Sequence, residues 1–129
     1  MDLSFEAKDG VLYGSIRGPF TLREAVDAFT EVCIRALRLG VTKALVDCQD
    51  AVGQLSTIER YQLGEQVAFN CHAITAAMVR VAVIGAPPLV NGFAALVASN
   101  RGLQSRTFPN VEEASQWLGI ASSAAGPFI

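Results

Sequence analysis

The chain opens on alternation. Leu3, Phe5 and Ala7 alternate with polar neighbours, Asp9-Gly10 supplies a two-residue turn, and residues 11–17 return as a second strand. This pattern predicts a β-hairpin, with Gly18-Pro19 ending its ladder. The period then lengthens. After the capping pair Thr21/Glu24, Leu22, Ala25, Val26, Phe29, Val32, Cys33, Ala36 and Leu37 recur at helical spacing as far as Gly40. The opposite face carries Arg23, Asp27, Glu31, Arg35 and Arg38, with two opposite-charge pairs four apart, as a solvated face should. Residues 43–48 form a short apolar run of buried-strand length that enters a polar loop at Gln49-Asp50.

A second capping pair, Ser56/Glu59, opens a helix over about residues 57–75. At about 100° per residue its apolar positions fall into two stripes. Leu63, Val67, Cys71 and Ile74 form the first; Ile58, Tyr61, Ala68 and Phe69 form the second. One stripe suffices for a core, which leaves the other to meet a subunit or a ligand. Residues 79–85 are β-branched and nearly continuous, the signature of a central parallel strand covered on both faces, and Ala86-Pro87-Pro88 stops it. A third helix begins near Asn91, and its 93–98 segment is apolar all round. Residues 104–108 suggest an edge strand, and a last helix opens at Asn110 or Val111 with Glu112 and Glu113 in its first turn. The order β-β-α-β-α-β-α-β-α predicts a single α/β domain over residues 1–119, its mixed sheet mostly parallel after the antiparallel hairpin. A small-residue-rich tail, 120–129, is expected to be weakly ordered.

Composition narrows the function. The 129 residues carry ten Lys and Arg against twelve Asp and Glu, with no basic run, so nucleic acid and anionic membranes find no electrostatic footprint. Charged residues are only 17%, which leaves apolar surface for a partner. No apolar run reaches the ~20 residues of a spanning helix, and the N-terminus lacks a signal-peptide pattern, so a cytoplasmic protein is expected. Cys33, Cys48 and Cys71 are odd in number, without paired spacing, and read as reduced packing thiols.

One resemblance emerges from the element order. Ile16-Arg17-Gly18-Pro19-Phe20-Thr21, the Ala44-Leu45-Val46-Asp47 and Arg80-Val81-Ala82-Val83-Ile84-Gly85 strands, and the closing Phe108-Pro109-Asn110-Val111-Glu112-Glu113-Ala114-Ser115-Gln116-Trp117-Leu118 resemble the SpoIIAA-like, STAS-type domains of bacteria. The resemblance implies their fold over roughly residues 3–119 and a regulatory role exercised by contact. In the anti-sigma-factor antagonists of that family a serine in an Asp-Ser-Ser-Gly-Leu segment accepts phosphate. Here the stretch runs Asp47-Cys48-Gln49-Asp50-Ala51-Val52-Gly53-Gln54-Leu55-Ser56, so that phosphoswitch does not carry over.

Candidate chemistry is sparse. Asp47 and Asp50 stand at the C-terminal edge of a parallel strand, where α/β sheets hold ligands, and two acids three apart suit acid/base work or a hard cation. Loop capping is the bland alternative. Gly85 and Asn91 occupy the equivalent edge of the next strand, and Ser56 stands at a helix N-terminus that suits phosphate or simple capping. These five residues form a candidate crevice. Arg80 interrupts an apolar strand, either at its exposed start or as an anion site. Cys71-His72 are adjacent on a helix and do not face each other, so neither thiol catalysis nor zinc ligation is expected. No nucleotide, P-loop or hydrolase motif occurs, so no metal or cofactor is expected.

The leading expectation is a non-enzymatic regulatory or interaction module. It would self-associate, as a homodimer, through Ile58, Tyr61, Phe69, Phe93, Leu96 and Val97. The alternative is a carrier or sensor of an apolar small molecule, since lipid-carrying CRAL-TRIO (Sec14-like) domains are similar in overall fold and the second stripe with the third helix could wall a pocket. An enzyme using Asp47 and Asp50 is the remaining alternative.

Overall fold

The structure, a computed structural model, describes residues 1–74 and 79–120. Strands β1 (Asp2–Lys8) and β2 (Val11–Pro19) pair antiparallel through Asp9-Gly10, both at positive φ (53° and 77°), the backbone a two-residue hairpin turn requires. Helix α1 (Leu22–Leu39) starts at the expected capping box, with the Glu24 amide donating to Thr21 Oγ1 at 3.1 Å and the Thr21 amide donating back to Glu24 Oε1 at 3.0 Å. It ends at Gly40 in the left-handed conformation. Then follow β3 (Lys43–Asp47), β4 (Ala51–Val52), α2 (Thr57–Ile74), β5 (Arg80–Ile84), α3 (Phe93–Asn100), β6 (Ser105–Phe108) and α4 (Val111–Leu118). The short β4 was not expected. It pairs in parallel with Gly18 and Pro19, which therefore extend the β2 ladder to a new partner instead of ending it.

The main sheet runs β1-β2-β3-β5-β6, antiparallel at the hairpin and parallel beyond it. Each parallel strand is added on the same side of the one before. With right-handed crossovers this puts α1, α2 and α3 on one face of the sheet, leaving the other to α4. The strands show the consequence in their two-residue period. Leu12, Ala44, Val46, Val81 and Val83 pack towards Ala28, Val32 and Ala36 of α1, whereas Val11, Tyr13, Leu45, Ala82 and Ile84 pack with Ala114 and Leu118 of α4. Arg80, at the start of β5, is half-buried rather than exposed. Its guanidinium lies 4.5 Å over the Trp117 ring and donates to the Trp117 carbonyl, fastening the end of α4 to the sheet. Of the expected tail, Ile120 packs onto the α4 core; the remainder lies outside the described residues.

Helix α2 departs from the simple layered picture. It packs chiefly against α1 and α3 rather than on the strands, and so spans the gap between those helices as a roof. Gly64 makes the α2–α3 approach possible: a Cβ there would strike the Ala94 carbonyl oxygen and come within 2.8 Å of Val97 Cβ. On an open helix Gly→Ala stabilises by about 1 kcal/mol. Gly64→Ala should instead destabilise by about 1–3 kcal/mol, because the backbone contact leaves no room for relaxation. A urea unfolding curve checks the sign: the midpoint should fall, and a raised midpoint would contradict the packing described.

Candidate functional site

A cavity of about 110 Å³ lies between the α2 roof and the sheet. Ile16, Val81 and Val83 form its floor, Phe29 of α1 and Leu63 and Val67 of α2 its walls, and the short side chains Ala94, Ala95 and Ala98 of α3 close the far side. Its existence follows from the residue sizes. A roof helix held off the sheet needs large side chains beneath it to fill the space, and α3 supplies three alanines where leucines would do so. The first stripe of α2, not the second, therefore faces the cavity, through Leu63 and Val67. Of the second stripe, Ala68 is buried, whereas Ile58, Tyr61 and Phe69 remain exposed. The side chain of Ile74 lies outside the described part.

The reading of the cysteines needs correcting. Cys33 of α1 and Cys71 of α2 form a disulfide, with Cα atoms 5.7 Å apart. They are 38 residues apart in sequence, and the side-by-side packing of two long helices that run in the same direction brings them together. Cys33 lines the cavity, and Val26, Phe29, Leu63, Val67 and Leu103 enclose the bridge. Cys48 is the free cysteine among the described residues and also lines the cavity. Burial, with a smaller contribution from the Asp47 carboxylate, pushes its thiol up to about 12, so it stays protonated and non-nucleophilic at neutral pH.

Among the described residues one charged side chain reaches this apolar space. Arg60, 6% exposed, stands one turn into α2 and lines the cavity. Its Nε donates to the Leu55 carbonyl at 3.0 Å, Nη1 to that of Leu89 at 3.2 Å and Nη2 to that of Pro88 at 2.5 Å. The guanidinium thus ties the approach to α2 to the β5–α3 loop. Among the described residues no carboxylate pairs with it. Sequence reasoning missed it, although a signal existed. Position 60 precedes Leu63 by three and Val67 by seven, which sets a charged side chain at the head of an apolar stripe.

The crevice expected at the sheet edge is placed differently. Asp47 Oδ1 accepts the Gln49 amide at 2.9 Å, which caps the loop, and the exposed Asp50 gives its carbonyl to the Gly18 amide at 2.9 Å. Ser56 is the N-cap of α2: the Glu59 amide donates to its Oγ at 3.1 Å while its own amide donates to Glu59 Oε1 at 2.9 Å. Gly85 has Val90 folded over it, at a distance no Cβ would tolerate. None of these four lines the cavity, whereas Asn91 does, with its Oδ1 accepting the Phe93 amide at 3.0 Å. The physical reason is topological. A crevice opens at the strand ends where the strand order reverses, and this sheet grows in one direction throughout its parallel part.

The candidate interface residues also separate. Ile58 and Phe69 are 71% and 70% exposed and Leu96 is 56% exposed, Phe93 is half-buried, and Val97 is buried on Gly64 and cannot serve as free surface. Tyr61 joins Glu65 and Arg101 in a surface clasp across α2 and α3, Arg101 Nη2 donating to the Tyr61 hydroxyl at 2.6 Å and to Glu65 Oε2 at 2.9 Å. Among the described residues no His, Cys, Asp and Glu gather as a metal site, and no helix is long and apolar enough to cross a membrane.

No protein-family model matches this chain, and no curated protein matches it. Solved structures do. One is an uncharacterized protein of the DUF3478 family with a SpoIIAA-like fold from Shewanella loihica PV-4, 20% identical, with a TM-score of 0.50 over 91% of this chain and 92% of that one. The fold is therefore SpoIIAA-like, a mixed α/β sheet with an N-terminal antiparallel hairpin.

The cysteine arrangement makes a counting prediction. A maleimide should label no cysteine in the native protein, one (Cys48) after denaturation without reductant, and three after denaturation with reductant, as read by intact mass. Reduction should lower the unfolding free energy by about 3–4 kcal/mol, the loop-closure value for a bridge spanning 38 residues. Rapid labelling of the native protein would contradict the burial assigned to Cys48.

Proposed function

We propose that the protein is a non-enzymatic carrier or sensor of a small, largely apolar molecule held beneath α2. The observation that carries this reading is the cavity itself, walled by aliphatic and aromatic side chains and edged by a few polar groups, the ordinary make-up of a small-molecule site. At about 110 Å³ it is somewhat smaller than the ~150 Å³ cavity that admits benzene, so its enclosed part suits a short chain or small ring. Chemistry finds little support there. The Cys48 thiol is held protonated, and Asp47 and Asp50 stand outside the cavity.

A second reading keeps a separate observation in view. Ile58, Phe69 and Leu96 are large, apolar and exposed on α2 and α3, as a protein-interaction module that self-associates through these helices would have them. The two readings are compatible, because the cavity and the exposed stripe lie on different sides of α2.

Native mass spectrometry of untagged protein tests both. The carrier reading expects a retained apolar adduct that organic solvent releases. Ala98→Leu, which fills the cavity from α3, should lose that adduct while keeping the fold. An adduct-free protein whose melting temperature no apolar fragment raises would overturn it. The same spectrum gives the subunit count: a dimer that Phe69→Glu converts to monomer supports the interaction module, and a wild-type monomer removes its basis.

A further inference from the structure

We propose that Arg60 is the anchor for an anionic headgroup, so that the molecule held beneath α2 is a short-chain carboxylate; this rests on the carrier reading and names its ligand class. A guanidinium has five N–H groups. At Arg60 the Leu55, Pro88 and Leu89 carbonyls take three of them, and among the described residues nothing else accepts from the remaining two. A buried positive charge surrounded only by neutral carbonyls is stabilised incompletely, and an anion is the group that completes it. Space for one exists, because the Arg60 side chain lines the cavity whose opposite walls are apolar. A polar head at Arg60 thus leaves an aliphatic tail to lie between Phe29, Val67 and Ala98.

The small space, about 110 Å³, favours the compact planar head of a carboxylate over the bulkier phosphate. Two free N–H groups match the two oxygens of one carboxylate in a side-by-side pair. Asn91 adds a donor nearby: its Oδ1 is committed to the Phe93 amide, which leaves its Nδ2 for an incoming oxygen.

Calorimetric titration of hexanoate and hexan-1-ol into the same protein at pH 7 tests this. The tails are identical and only the head differs. Wild type should bind the acid about tenfold or more tightly than the alcohol, the advantage of a charge-assisted hydrogen-bonded pair, and Arg60→Met should bring the ratio to one or below. Because loss of three carbonyl bonds can unfold the variant, the Arg60 Nε–H resonance of ¹⁵N-labelled wild type supplies an independent readout. It should shift on saturation with hexanoate and stay put with hexan-1-ol. Equal binding of acid and alcohol, or an unmoved Arg60 signal under saturating hexanoate, overturns the anchor and leaves the carrier reading intact. Failure of both ligands to bind, with no adduct in the native spectrum, removes the carrier reading together with the anchor.

Discussion

A guanidinium placed among apolar walls must be met by acceptors, and the region around the cavity is arranged to meet this one. Arg60 draws the Leu55, Pro88 and Leu89 carbonyls towards a single point, joining the segment that leads into α2 to the loop that leads into α3. Among the described residues no other hydrogen bond ties the start of α2 to the β5–α3 loop. At its other end α2 is tied to α1 by the Cys33–Cys71 bridge. One helix is thus pinned at both ends over a space it does not fill.

The space is a product of topology as much as of side chains. A sheet that adds its parallel strands in one direction stacks three crossover helices on one face, and three helices cannot all lie directly on the same strands. The middle one rides on its neighbours. Gly64 lets α3 approach α2 closely, while the alanines of α3 leave unfilled volume beneath. The same topology explains why the sheet edge is quiet: Asp47 and Ser56 cap local backbone, and Gly85 makes room for Val90.

Much of the fold was legible because its signals are local. The Asp9-Gly10 turn, both capping boxes, the continuous β-branched strand and the closing amphipathic helix each announce themselves within a few residues. The two stripes of α2 were legible too, although which one faced the interior was not, since that depends on where α1 and α3 sit. The disulfide was hidden for the same reason, its two halves being separated by the end of α1, the strands β3 and β4 and most of α2. Arg60 was missed, because a charge one turn ahead of the first stripe is indistinguishable, from sequence, from one more solvated charge. The two-residue β4 carries no periodicity at all and exists only because Gly18 and Pro19 present a free edge.

A carrier role requires that the volume beneath α2 accept an apolar guest in the folded protein. Xenon pressurisation of a crystal asks this without assuming any head group. A xenon atom should settle between Phe29, Val67 and Ala98, under the α2 roof. A pressurised crystal with no xenon there, or with those side chains closed over the space, would contradict it.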